Sequence, residues 1–310
     1  PRCMILSPRI TQDIERASQT LKAGGIVGIP TETVYGLAAL ALNEDAVSRV
    51  FRAKGRPTSH PLIIHLSPND DMNRWGELNE SAQVLANSFW PGPITLLVPR
   101  TRLVPDWVTG GRDTVALRIP AHDMSIALLD TLNDAVVAPS ANRFGHVSPT
   151  SAQHVVDDLG DSVDLVLDGG QCAIGIESTI VECTSSSIQI LRPGKVSALD
   201  IANVTGLNIS MTEGPSRAPG MLLAHYAPTA RVELCDSLSD AQSRLDQYIS
   251  KGLSVEILHY DDPSVYALSL YDDLRSADLR SREIVLAVVP LDFGLGTAIR
   301  DRLTKAAASG

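Results

Sequence analysis

What the chain lacks narrows it first. Its 310 residues include only four cysteines, Cys3, Cys172, Cys183 and Cys235, and no two have C-x-x-C spacing. A zinc knuckle or a thioredoxin-type redox site therefore has no ligands at the right separation. Cysteines this sparse and scattered are expected to be reduced, which points to a cytoplasmic protein. Long hydrophobic runs are missing too. The most apolar stretch, residues 284–291, is far too short to cross a bilayer as a helix. No basic segment followed by an apolar one opens the sequence, so neither a leader nor a membrane partner is expected.

Positive charge is in deficit. Lys and Arg total 26 against 36 Asp and Glu, a net charge of −10, split as −6 over residues 1–207 and −4 over 208–310. Neither part is a basic tail, and no nucleic-acid platform is expected. Only a local basic pocket remains open. The common nucleotide and hydrolase signatures are also absent. There is no G-x-x-x-x-G-K-[ST], no G-x-G-x-x-G after a strand, no G-x-S-x-G and no H-E-x-x-H. A chain of this kind that used ATP would grip the phosphates with discrete Lys and Arg side chains and polar loops.

What is present is ordinary globular material, 44% hydrophobic and 20% charged. The length suggests two domains, or one large and one small. Helical patterns are read at residues 11–23, 44–54, 79–89 and 151–159. Strand-like runs are read at 26–29, 62–66, 94–98, 115–119, 135–138, 165–167, 179–182 and 188–191. Asn43 is positioned to cap the second helix. This order indicates an α/β or α+β layer fold over residues 1–207. Residues 208–229, with three prolines and little periodicity, read as a linker. Strands at 232–235, 254–258 and 284–289 then alternate with helices at 239–250, 264–275 and 295–308. That pattern predicts a small three-layer α/β domain with a parallel sheet over residues 230–310.

The residues that carry chemistry are clustered. PTETVYG, residues 30–36, follows a strand directly, where polar groups meet the rim of a sheet. It also reads as a plain turn with a threonine cap. KGRPTSHP, residues 54–61, holds Lys54 and Arg56 in a loop stiffened by Pro57 and Pro61, with His60 and His65 flanking it. A fixed cation pair suits a triphosphate or a carboxylate, and cations at a helix C-terminus are also mildly stabilising by themselves. Arg118 alternates with Val115, Leu117 and Ile119, so it projects from the opposite strand face. If that face lines a cleft, Arg118 clamps an anion. APSANRFGHVSP, residues 138–149, places Ser140, Asn142 and Ser148 after a strand, where small polar groups suit a nucleotide or simply a turn. DGGQCAIGIEST leads into a strand, and LRPG closes this part of the chain with Arg192.

Taken in order, PTETVYG, KGRP, LRIP, PSAN, GIEST and LRPG resemble the signature of the YrdC-like superfamily. HYAP, residues 225–228, resembles the entry to the C-terminal extension of the longer two-domain threonylcarbamoyladenylate synthases. The resemblance implies a twisted mixed sheet with a concave cleft, a small C-terminal α/β domain, and a linker that closes over the cleft. It implies a nucleotidyltransferase that joins L-threonine, bicarbonate and ATP, with Mg²⁺ bound to the ATP, into threonylcarbamoyl-AMP and pyrophosphate. The product would pass to a separate transferase that modifies tRNA.

The same resemblance implies site roles. Thr33, His65, Arg118, Ala138 and Ser178 would bind L-threonine. Lys54, Arg56, His60, Thr114, Asn142, Ser140, Ser148, Arg192 and Tyr226 would bind ATP, with Lys54 and Arg56 as the catalytic cations. The family often has Asn where His60 stands. The linker, usually Lys-Tyr-Arg before HYAP, here reads Leu222, Leu223 and Ala224. Two other readings are a carbamoyl-adenylate-forming relative and a non-catalytic nucleotide- or RNA-binding regulator with this fold.

Overall fold

The computed structural model describes residues 9–185, 187–211 and 226–308. Among these, the strands β1 (Ile10–Thr11), β2 (Val27–Ile29), β3 (Gly36–Leu40), β4 (Ile63–His65), β5 (Ile94–Pro99), β6 (Thr114–Arg118), β7 (Val136–Val137), β8 (Leu165–Leu167), β9 (Thr179–Glu182), β10 (Gln189–Arg192) and β11 (Ser210–Met211) form one sheet. Their order is β1-β8-β2-β3-β7-β4-β6-β5-β9-β10-β11. Parallel and antiparallel pairs are mixed: β4 and β6 run parallel, while β3, β7 and β4 are antiparallel to one another in turn.

The accompanying helices are α1 (Ile14–Lys22), α2 (Glu44–Lys54), α3 (Glu80–Phe89), α4 (Asp106–Thr109), α5 (Asp123–Leu132), α6 (Ala152–Leu159) and α7 (Ala198–Thr205). They cover both faces. Val47, Val50 and Phe51 of α2 pack with Leu85 of α3 in the largest core, while Leu21 of α1 and Leu128 of α5 pack in another. The α2 helix matches its sequence reading because its signals agree. Asn43 Oδ1 accepts from Ala46 N at 3.0 Å, and Gly55 ends the helix at φ 63°. That left-handed turn sends the chain from Lys54 back toward the sheet, which brings in Arg56.

The second sheet is wholly parallel: β12 (Arg231–Cys235), β14 (Ile284–Val288) and β13 (Val255–Leu258), in that order. Alternate residues of β14 face opposite ways. Val285 and Ala287 pack on α9 (Pro263–Leu279) and α10 (Leu295–Ala307). Ile284, Leu286 and Val288 pack with Ala241 and Leu245 of α8 (Leu238–Ser250). Helix, sheet and helix make three layers.

The differences from the sequence reading have physical causes. The β3 segment, GLAAL, carries no β-branched or aromatic residue, so it gave no strand signal, yet it is almost wholly buried between β2 and β7. Helices α5 and α7 were likewise not anticipated. Helix α9 runs four residues past the expected end, to Leu279. Within the pattern-free stretch, Ser210–Met211 adds a parallel strand to β10. Cys3 and the altered linker positions Leu222, Leu223 and Ala224, with His225, lie outside the described residues. Cys172, Cys183 and Cys235 are free and buried. Among the described residues, no helix is long and apolar enough to cross a membrane.

Candidate active site

A cleft opens where several strands of the large sheet end. Thr31, Val34, Gly36, Arg56, Ile63, His65, Arg118, Ala138, Pro139, Ser140, Glu177, Arg192 and Tyr226 line it. Backbone pairing assembles these groups. The parallel register of β4 on β6 sets His65 opposite Arg118. The PTETVYG and APSAN segments are joined by Leu37 N donating to Pro139 O at 2.6 Å, Ala141 N to Tyr35 O at 2.8 Å and Tyr35 N to Pro149 O at 2.9 Å. The seam is tight at Gly36, where a Cβ would lie 3.0 Å from Ala138 Cβ.

One end of the cleft centres on Arg118, which is 4% exposed. Its Nη2 donates to Thr33 Oγ1 at 2.9 Å and lies 2.8 Å from Glu32 Oε1. Its Nε is buried with no hydrogen-bond partner. Thr31 and Thr33 hydroxyls are 2.9 Å apart, which fixes the loop beneath the guanidinium. His65 is buried beside it. Burial, reinforced by the Arg118 charge, lowers its pKa to about 3, so the ring is neutral. Its Nδ1 lies 3.3 Å from Ile63 O, which fits a proton on Nδ1 and leaves Nε2 as an acceptor.

The other end is cationic. Arg56 is 8% exposed and donates to Pro61 O at 3.0 Å, with its guanidinium 5.7 Å from the Phe144 ring centre. Burial lowers its pKa only to about 10, so it stays charged near neutral pH. Arg192 is held by Ser178, donating from Nε to the backbone oxygen and from Nη2 to Oγ, both at 3.1 Å. Ser178 Oγ in turn lies 2.8 Å from Thr95 Oγ1.

Of the residues singled out in the sequence, Arg56, His65, Arg118, Ala138, Ser140, Arg192 and Tyr226 line the cleft. Thr33 and Ser178 sit directly behind Arg118 and Arg192. Lys54 is placed differently from a free phosphate ligand. It is buried, and its Nζ donates to Ser140 O and, at 2.5 Å, to Asn142 O. Burial, with Arg56 adding to it, holds its pKa well below the usual lysine value. Asn142 faces inward and donates to the carbonyls of Arg143 and His146 at 2.8 Å. Ser148 is buried and donates to Glu177 Oε1 at 2.5 Å. His60 is half-buried, edge-on to Phe144 at 5.4 Å. Thr114 starts β6, at the opposite end of that strand from Arg118.

Glu177, Tyr271 and Arg302 were not assigned roles from the sequence. Glu177 lines the cleft and accepts from Tyr271 OH and Arg302 Nε on Oε2, both at 2.8 Å. Burial pushes its pKa up, but Arg302, Arg192 and the Ser148 hydroxyl outweigh that and hold it at about 2. Tyr226 is stacked on Tyr271 with ring centres 5.8 Å apart, and the Arg302 guanidinium lies 5.1 Å over its ring. Its backbone is left-handed, φ 64°, a cost of roughly 1 kcal/mol that this packing offsets. A signal for Arg302 was available: it falls on the apolar face of its helix with Ile299, Leu303 and Ala306.

Comparison with known proteins agrees with this geometry. The Sua5/YciO/YrdC family model, described as telomere recombination, matches residues 19–194. A second model, described as threonylcarbamoyl-AMP synthase, C-terminal domain, matches residues 194–308. A threonylcarbamoyl-AMP synthase of Pyrococcus abyssi is 38% identical, over 94% of this chain and 93% of that protein. One of Bacillus subtilis is 37% identical, over 95% of this chain and 92% of that protein. The crystal structure of P. abyssi Sua5 complexed with L-threonine superposes with a TM-score of 0.90 at 37% identity, covering 96% of this chain and 94% of that one. Cleft, topology and both halves of the sequence agree: the chain belongs to the Sua5/YciO/YrdC family, in the form that carries the Sua5 C-terminal domain.

Proposed function

We propose that this chain is a threonylcarbamoyl-AMP synthase, a nucleotidyltransferase that makes threonylcarbamoyl-AMP and pyrophosphate from L-threonine, bicarbonate and ATP. The observation that carries this reading is the meeting of three buried guanidinium groups, Arg56, Arg118 and Arg192, with a neutral His65 in one cleft. Family membership supports the same reading.

Arg118 takes the threonine carboxylate, because its orientation is already fixed by Thr33 and Glu32. His65 offers Nε2 as an acceptor to the amino or hydroxyl group. With a pKa of about 3 it is too weak a base to take the ammonium proton, so it orients rather than deprotonates. The neutral amine, its proton lost to solvent, attacks carbon dioxide formed from bicarbonate and gives a carbamate. A carbamate oxygen then bonds to the α-phosphorus of ATP, the bond to the bridging oxygen breaks, and pyrophosphate leaves. Negative charge gathers on the phosphates, and Arg56 and Arg192 are preorganised to meet it. Ala138 supplies backbone beside the threonine end and Ser140 a polar group beside the nucleotide. Lys54 acts from behind, holding the Ser140–Asn142 loop.

Mg²⁺ arrives with ATP as part of the substrate. Among the described residues no group of three or more His, Cys, Asp or Glu is arranged to hold a metal. The cleft carboxylates fit no such cage either, since Glu32 is paired with Arg118 and Glu177 with Arg302. The reactive mixed anhydride then passes to a separate tRNA-modifying transferase in the cytoplasm.

The test is pyrophosphate release from ATP with L-threonine and bicarbonate, each omitted in turn. Release that requires all three supports the synthase. Nucleotide binding without release, under every mixture, supports the non-catalytic regulator instead.

A further inference from the structure

We infer that Arg302, from the last helix of the C-terminal part, is a positioning residue for the nucleotide end of the cleft. It neutralises Glu177 so that a triphosphate can lie beside it, and it holds the Tyr226 ring in place. The inference rests on the synthase reading for its substrate, but it concerns a residue outside the matched catalytic segments.

A carboxylate in the wall of an anion-binding cleft is a liability. Glu177 lines the same cleft as Arg56 and Arg192, and it is only 6% exposed. Left uncompensated, its charge would repel the phosphates and draw the arginines away from them. Arg302 prevents both. Its side chain is fully buried, and every arm of the guanidinium is engaged. Nε lies 2.8 Å from Glu177 Oε2, Nη2 donates to Pro193 O at 3.1 Å, and Nη1 pairs with Asp301. The flat of the guanidinium covers Tyr226 at 5.1 Å. A lysine could supply the charge but not this fork and face together. Pro193 follows Arg192 directly, so the same group also pins the end of β10 that delivers Arg192.

A bracing residue alone would cost stability and lower all activities alike. A residue that manages the charge of Glu177 does something separable: its loss is repaired by removing that charge. The experiment measures binding of a non-hydrolysable ATP analogue with Mg²⁺, by calorimetry, alongside the KM values for ATP and L-threonine. Arg302→Met is expected to bind the analogue about 10- to 100-fold more weakly, as for a buried charge left alone. KM for L-threonine should hardly move. The double variant Arg302→Met with Glu177→Gln should recover most of the loss.

Wild-type binding by folded Arg302→Met, or a double variant that folds yet binds no better than Arg302→Met, overturns the inference. Should Arg302→Met not fold, the double variant and Arg302→Lys carry the test. Both are then expected to bind the analogue, and failure of a folded double variant to do so overturns it. If wild type binds the analogue but releases no pyrophosphate, the synthase reading fails while the role of Arg302 still stands or falls on the binding data. Absence of nucleotide binding by wild type overturns both.

Discussion

Arg118 Nη2 lies 2.9 Å from Thr33 Oγ1 across 85 residues of sequence, and the same nitrogen lies 2.8 Å from Glu32 Oε1. The loop between β2 and β3 thus orients the guanidinium at the end of β6 before any ligand arrives. Arg118→Lys keeps the charge and loses the fork. A charge-assisted hydrogen bond is worth about 1.5–3 kcal/mol, so KM for L-threonine should rise about 10- to 100-fold. KM for ATP should stay near wild type. Steady-state pyrophosphate release checks both, and an equal rise in the two would refute the assignment.

Lys54 offers a test on the protein without ligand. Its Nζ serves the carbonyls of Ser140 and Asn142, and the side chain is 3% exposed. Lys54→Met leaves both carbonyls without this donor and should lower unfolding stability by about 2–3 kcal/mol. Urea titration in the absence of nucleotide measures this. Were Lys54 only a phosphate ligand, removing a buried charge would leave the apoprotein as stable as before, or more so.

Acid should weaken the fold in two stages with separate causes. His65 has its pKa lowered to about 3 from an ordinary 6.5, so the unfolded chain binds the proton first. Its contribution to stability is therefore present above about pH 6.5 and shrinks as pH falls toward 3. Glu177, lowered to about 2 from 4.5, adds stability above about pH 4.5 that is lost on going down to 2. Thermal melts between pH 7 and 4.5 should fall less steeply for His65→Gln than for wild type. Equal slopes would mean that His65 is not held neutral.

Gly194, in LRPG, sits where a Cβ would lie 2.4 Å from Thr179 N and 2.7 Å from Glu177 O. Both neighbours are backbone and cannot swing aside. Gly194→Ala should cost about 1–3 kcal/mol by overpacking and should shift the turn that bears Glu177 and Ser178. A lowered melting temperature with weakened ATP binding is expected. Unaltered stability would show that β9 and β10 part without strain.

Much of this was legible in the sequence, and the reasons differ by residue. Helix α2 was readable to the residue because cap, apolar face and terminal glycine agree. Arg118 was readable from alternation alone, with Val115, Leu117 and Ile119 in the core behind it. Strand β3 was not, since small residues carry no strand preference and only its buried place in the sheet decides its state. The order of motifs identified the cleft, but not the division of labour within it. For Lys54 the sequence shows a loop cation and its charge, while the Ser140 and Asn142 carbonyls it donates to are visible only in the fold. For Arg302 the sequence shows a place on the apolar face of its helix but not the partner, since Glu177 lies 125 residues away and only the fold sets it against the guanidinium.

The Glu177–Arg302 pair also constrains how such a gene can shorten. Its two members are unequal. Without Glu177, Arg302 still has Asp301 and the Pro193 carbonyl. Without the C-terminal helices, Glu177 loses Arg302 and Tyr271 together and keeps only the Ser148 hydroxyl among those partners. Deleting the C-terminal part in one step would strand a carboxylate in the cleft wall. Changing residue 177 first removes that obstacle.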